Sequence, residues 1–226
     1  MKSLLLDYGS IELVESMGDD LRIVNMARQS FGSVLETEMT DKNAGLIKYL
    51  MKNRHGTPFE GVVITLQVKC PIFVAREWMR HRIASYNEFS GRYSKMSSDF
   101  YVPSGDQLRS QVGKPGSYSF EPLPDGLAES TRAMIEENNG DALYTYDNFL
   151  EQGVAKEVAR MVLPVNIYTS FTMVANLRSL FNFVSLRSHK DAMWEIRQYS
   201  EEVEKMLWLV APVAYRAFVD NNRIAP

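Results

Sequence analysis

The chain has 226 residues, 45% hydrophobic and 23% charged, with a formal net charge of -3. This is an ordinary globular composition, long enough for a real core, and its acidity excludes a chain-wide electrostatic footprint for nucleic acid. Cys70 is the only cysteine, which excludes an intramolecular disulfide and a cysteine-based zinc site. The amino-terminal stretch lacks a signal-peptide pattern, and no apolar run is long enough to span a bilayer, so a cytoplasmic setting is expected.

Residues 3–17 read as one or two short strands with a turn at Gly9-Ser10. Gly18-Asp19-Asp20 then opens a helix, since Asp accepts from free backbone N–H groups, and Ser30-Phe31-Gly32-Ser33 ends it. Asp41 is expected to cap a second helix with an apolar stripe of Leu46, Ile47, Leu50 and Met51. His55-Gly56-Thr57-Pro58-Phe59-Glu60 is a loop, because Gly and Pro break both periods. The clearest strand follows: Val62, Ile64, Leu66, Val68 and Cys70 alternate with Val63, Thr65, Gln67 and Lys69. Pro71 suits the first turn of a helix that carries Ile72, Ala75 and Met79.

Residues 97–126 hold Pro103, Pro115, Pro122 and Pro124 with Gly105, Gly113 and Gly116, and predict a long functional loop. A helix from Leu127 toward Gln152 should be interrupted or weakened at Asn138-Asn139-Gly140. Residues 155–163 form another helix, stopped by Pro164. Residues 167–173 alternate as a strand, and Asn176 caps the helix carrying Leu177, Leu180, Phe181 and Val184. Asp191 begins the last helix, with Ile196, Tyr199, Val203, Met206, Leu207 and Val210 on one side. Few strands among many helices, without repeated βαβ spacing, favour an α+β class in a single domain spanning residues 1–226.

One stretch fits no packing period: Arg80-His81-Arg82-Ile83-Ala84-Ser85-Tyr86-Asn87-Glu88-Phe89-Ser90-Gly91-Arg92-Tyr93. Between residues 76 and 95 lie five cations (Arg76, Arg80, Arg82, Arg92 and Lys95) against two carboxylates, Glu77 and Glu88. A basic island in an acidic protein suggests a small anionic ligand. Guanidinium forks match phosphate oxygens two bonds at a time, Asn87 suits a heterocycle edge, and Tyr86 and Tyr93 can stack. Charge-assisted bonds of that kind contribute roughly 1.5–3 kcal/mol each; the bland alternative, exposed ion pairs at a helix end, is worth about 0–1 kcal/mol each. None of the thirteen glycines forms G-x-G-x-x-G, and Gly113-Lys114 runs into Pro115, so neither a dinucleotide fingerprint nor a P-loop is present. Any nucleotide must be held by side chains and loops.

Residues 80–93 resemble the R-H-R-x-x-S-x-N-E-x-S-x-R-Y signature of the flavin-dependent thymidylate synthases at every fixed position. The similarity runs on through the loop at residues 55–60, Glu157-Val158-Ala159-Arg160 before Leu163-Pro164, Asn176-Leu177-Arg178-Ser179-Leu180, Asn182 and Leu186-Arg187. It implies a homotetramer of α+β subunits, each with a small, mostly antiparallel sheet packed with long helices. That fold binds FAD without a Rossmann unit, in active sites shared between subunits. The implied reaction methylates dUMP to dTMP, with methylenetetrahydrofolate as carbon donor and NADPH as reductant through the flavin. The resemblance assigns FAD contacts to Ser30, His55, Thr57, Arg80, His81, Arg82, Glu88, Asn176, Leu177, Arg178 and Asn182. It assigns dUMP contacts to Glu77, Trp78, Met79, Arg80, Glu88, Phe89, Ser90, Gly91, Arg92, Arg160 and Arg187.

The implied chemistry agrees with the residue types. Uracil C5 is a poor nucleophile, and the other class of thymidylate synthase activates it with a cysteine thiolate. Cys70 falls on the apolar side of a strand, where a thiol is inert. By position alone Arg187 is a helix-end cation facing carbonyls; the resemblance makes it the expected catalytic residue, stabilising negative charge on the pyrimidine, while Ser90, with no evident base partner, positions the nucleotide. His189 reads as surface, and Trp194 and Tyr199 as core or interface. Glu77 stands where the family often has Gln, and Asp191 where some members have His. A carboxylate beside a phosphorylated nucleotide is electrostatically awkward, so Glu77 is the weakest of the implied dUMP contacts.

Overall fold

The computed structural model describes residues 1–32, 34–114 and 117–226. Ser33, read as part of a helix stop, and Pro115 and Gly116, read as part of the long loop, lie outside the described residues. β1 (Lys2–Leu5) and β2 (Gly9–Met17) pair antiparallel, with Ser3 opposite Ile11. The turn between them falls at residues 6–8 rather than at Gly9-Ser10, with Leu6 in the left-handed region at φ 53°. Gly9 serves packing instead: a Cβ there would collide with the Tyr199 hydroxyl and the Leu5 carbonyl.

α1 (Asp20–Arg28) is capped by Asp19, whose side chain accepts from the Arg22 N–H. Asp20 is buried, and its two oxygens accept from the Val213 and Ala214 N–H groups, each at 2.8 Å. α2 (Asp41–Lys52) is capped by Thr40, not by Asp41, which occupies the first helical position and faces the dipole. β3 (Val63–Pro71) leads directly into α3 (Ile72–Trp78), with Pro71 at the junction. β4 (Ser85–Glu88) is a short edge strand drawn from the arginine-rich motif.

The expected loop at residues 97–126 contains an antiparallel hairpin, β5 (Arg109–Lys114) and β6 (Ser117–Pro122). Its side chains are half or fully exposed, so no apolar alternation marked it in the sequence. α4 (Asp125–Glu151) continues without a break through Asn138-Asn139-Gly140. Gly140 costs about 1 kcal/mol relative to Ala. Against that, Asn139 is buried and accepts from Asn166 at 3.1 Å, so tertiary contact overrides propensity.

α5 (Lys156–Ala159) is one turn that tightens before Pro164. β7 (Tyr168–Asn176) then enters the sheet between β3 and β4, giving the order β1-β2-β3-β7-β4 with every pairing antiparallel. α6 (Leu177–Arg187) follows at once, capped by Asn176, which accepts from the Ser179 N–H at 2.9 Å. α7 (Trp194–Val210) starts three residues beyond Asp191, and Pro212 opens a further helix not expected from the sequence, α8 (Pro212–Asp220).

The architecture is α+β, as expected. Ile64, Leu66, Val68, Phe171 and Met173 turn one sheet face toward Phe181, Phe183, Val184, Ile196 and Val203 of the helices. Full burial of each such side chain stabilises by about 1.5–3 kcal/mol. Glu204 ties the far side of this layer together. It accepts from Ser188, Tyr215 and Arg223, each at 2.6 Å, linking the end of α6 to α7, α8 and the carboxy-terminal segment.

Candidate active site

The motif becomes a functional wall because two elements stop there. α3 ends at Trp78, whose ring is fully buried and stacks on Phe183 with centroids 4.2 Å apart. The chain then turns through residues 79–84 and re-enters the sheet as β4, with Ser85 opposite Val174 and Glu88 opposite Phe171. The Tyr86 hydroxyl lies 3.0 Å from the Trp78 carbonyl and 2.9 Å from the His81 carbonyl, and donates to one at a time. Burial pushes its pKa up to about 12, so it stays a donor. With its backbone pinned in this way, the turn points Arg80, His81 and Arg82 into a cleft of about 800 Å³.

Arg187, in the last turn of α6, reaches the same cleft. Its Nε–H donates to His81 Nε2 at 3.0 Å, one terminal nitrogen pairs with the Glu77 carboxylate, and the other donates to the Glu77 carbonyl at 3.2 Å. His81 also lies edge-on to Phe183, with centroids 4.9 Å apart. Burial, and then the neighbouring Arg187 charge, lower the His81 pKa to about 4. The ring is therefore neutral, with its proton assigned to Nδ1 by the bond that Nε2 accepts.

A second cleft of about 700 Å³ adjoins the first, and Arg54 and Arg178 line both. Ser30, His55 and Thr57 line the second, and Asn182 lines the first. Arg178 donates to Glu60 at 2.7 Å and to the Pro226 carbonyl at 3.0 Å. Gly56 lies directly beneath it, and a Cβ there would collide with the guanidinium. Of the residues assigned to FAD, the structure thus gathers Ser30, His55, Thr57, Arg80, His81, Arg82, Arg178 and Asn182 around two communicating clefts. The side chains of the other three have different partners: Asn176 caps α6, Leu177 lies in the core, and Glu88 accepts from Thr169 at 2.7 Å.

The residues assigned to dUMP separate into two groups. Glu77, Arg80 and Arg187 belong to the first cleft or its wall. Ser90, Gly91, Arg92 and Arg160 gather instead beyond β4. There the Tyr93 and Ser94 N–H groups donate to the Ser90 carbonyl, each at 3.1 Å, and Arg92 pairs with Glu157 at 2.9 Å. Gly91 packs beside Arg160. Phe89 joins the sheet through its N–H to the Ser170 carbonyl at 2.8 Å, while Trp78 and Met79 pack with the core cluster. Sequence reasoning missed Arg54, Ala225 and Pro226 as cleft residues. Arg54 carried a usable signal, its position where α2 gives way to the Gly-Pro loop, and its φ of 57° is left-handed. Nothing in the sequence marked Ala225 and Pro226.

These residues fit the expected flavin dinucleotide. Four guanidinium groups, Arg54, Arg80, Arg82 and Arg178, suit a central diphosphate. Paired clefts offer room for two ring systems, and the bare backbone at Gly56 keeps Arg178 at their junction.

Residues 12–213 match the family model described as thymidylate synthase complementing protein. A flavin-dependent thymidylate synthase of Thermotoga neapolitana is 44% identical over 219 residues, covering 97% of this chain and 94% of the relative. One from Thermus thermophilus is 44% identical over 217 residues, covering 96% and 78% respectively. Among solved structures, a UMP/dUMP methylase from Streptomyces cacaoi bound with 5-Br dUMP superposes with a TM-score of 0.90 at 36% identity, covering 98% of this chain and 99% of that one.

Proposed function

The chain belongs to the flavin-dependent thymidylate synthase family, and from that premise we propose that it converts dUMP to dTMP. In this reading methylenetetrahydrofolate is the carbon donor, FAD the bound redox group and NADPH the reductant. The observation that carries it is Arg187, held by His81 and Glu77 at the wall of an arginine-lined double cleft.

Bound flavin would supply the reducing equivalents of the reaction. Arg54, Arg80, Arg82 and Arg178 would hold its diphosphate, with Asn182 on the same wall and Ser30, His55 and Thr57 in the adjoining cleft. Arg187 would stand against the uracil ring and stabilise the negative charge that develops there as C5 becomes nucleophilic. Neutral His81 accepts from Arg187 and leaves its charge undiminished. Cys70 is fully buried, and desolvation followed by the charge of Glu88 raises its pKa well above the ordinary thiol range. A thiolate attack on the pyrimidine therefore has no support in this chain.

Ser90, Arg92 and Arg160 would take the dUMP phosphate. Because they stand apart from the cleft, the reading includes a homotetramer in which neighbouring subunits complete each other's sites. Exposed Phe31, Ile83, Tyr93 and Met161, each at least 75% accessible, support contact surfaces near both groups. The reading takes the chain as one catalytic domain working in the cytoplasm. Among the described residues, no helix is long and apolar enough to cross a membrane. The test is an absorbance spectrum of the purified protein, which should show bound flavin and release FAD on denaturation. Protein that stays colourless after incubation with FAD would overturn the reading.

A further inference from the structure

We propose that Glu77 is not a nucleotide contact but the positioning residue of Arg187, fixing which of its donors face the cleft. This inference rests on the reading of Arg187 as the group that faces the pyrimidine.

The geometry is specific. A guanidinium has five N–H donors in one plane. Three are engaged here: Nε–H by His81, one terminal N–H by the Glu77 carboxylate, and one by the Glu77 carbonyl. A single residue therefore grips both terminal nitrogens, one through its side chain and one through its backbone. Among the described residues this leaves one N–H on each terminal nitrogen for a ligand.

Burial sharpens the constraint. The Arg187 side chain is only 18% accessible, whereas that of Glu77 is 39% accessible. The arginine is thus seated in the wall while the carboxylate keeps part of its hydration, which lowers the cost of holding the pair. Glu77 sits in the last turn of α3, and Trp78 beside it is locked in the core against Phe183. The carboxylate therefore inherits a rigid base, as a group that sets the angle of another must. The electrostatic objection to a carboxylate beside a nucleotide also disappears, because its charge is directed at Arg187.

Two substitutions and one spectrum test this. Glu77→Ala should lower kcat by about 100-fold, the size expected when a catalytic group is misplaced by an ångström or so, with KM for dUMP within about threefold. Glu77→Gln keeps a side-chain oxygen that accepts from Arg187 and should stay within about tenfold of wild type. In the protein without dUMP, the Arg187 Nη–H resonance that meets the Glu77 carboxylate, assigned by its loss in Arg187→Lys, should be protected from solvent exchange in wild type and Glu77→Gln. It should exchange rapidly in Glu77→Ala. A rise in KM at constant kcat would make Glu77 a direct dUMP contact and overturn the proposal. So would an Arg187 resonance that keeps its protection in Glu77→Ala. If Arg187→Ala itself turns over normally, the reading of Arg187 fails, while the exchange measurement still decides what Glu77 does.

Discussion

Arg187 and His81 meet over 3.0 Å, the guanidinium Nε–H donating to the imidazole Nε2. That bond requires a neutral ring, and burial together with the Arg187 charge keeps it neutral by lowering its pKa to about 4. Protonating His81 would remove the acceptor and set two cations side by side.

The first prediction concerns pH and stability. The ordinary His pKa is 6.5 and the folded value is about 4, so between them the unfolded chain binds a proton that the folded chain does not. Folding stability should therefore fall as pH drops from 6.5 through about 4, and His81→Asn should lose that contribution. Thermal unfolding midpoints across this range check it. Wild-type and variant curves that run parallel would mean that His81 titrates normally.

Arg178 and Gly56 make a second test. Arg178→Ala should weaken FAD binding by about 10- to 100-fold, the equivalent of one charge-assisted bond. Gly56→Ala should weaken it in the same direction without touching a charge, because the added Cβ displaces the guanidinium. Flavin fluorescence titration measures both. Unaltered affinity in Gly56→Ala would show that the position of Arg178 does not matter.

The third prediction concerns Glu204. Desolvation tends to raise its pKa, but bonds from Arg223, Ser188 and Tyr215 outweigh it, and the folded pKa is depressed. Its stabilisation is then fully present above the ordinary carboxylate range and is lost as pH falls through the lower folded value. Glu204→Gln should cost about 2–3 kcal/mol at neutral pH and less in acid. Denaturant unfolding of the pair at both pH values checks this; an equal cost at each would exclude the ionised carboxylate as the source.

The fold was legible wherever one face of an element is buried. The alternation from Val62 to Cys70 marked β3. The spacing of Leu177, Leu180, Phe181 and Val184 marked α6, with its Asn176 cap. The β5–β6 hairpin escaped notice because it buries neither face. Asn139 misled because its burial and its partner, Asn166, are tertiary facts. α8 was missed because Pro212 reads as a stop, and its cap, Asp20, lies far away in sequence.

The site was legible as residue types more than as an arrangement. Arg80, His81 and Arg82 stood out as a binding segment, and the structure lines one cleft with them together with Arg178 and Asn182. What sequence could not give was pairing. Glu77 reads as a ligand contact until Arg187 is found against it. Trp78 and Leu177 were both assigned as ligand contacts yet bury their side chains in the core.

In the proposed reaction Arg187 activates the pyrimidine and no enzyme thiol takes part. The most direct test is single-turnover dTMP formation by Arg187→Ala beside Cys70→Ala, each loaded with FAD and given dUMP, methylenetetrahydrofolate and NADPH. Arg187→Ala should keep its flavin and form dTMP at least about 100-fold more slowly, as for loss of a preorganised charge-stabilising donor, while Cys70→Ala should retain turnover. Normal turnover by Arg187→Ala, or abolished turnover by folded, flavin-loaded Cys70→Ala, would contradict this reading.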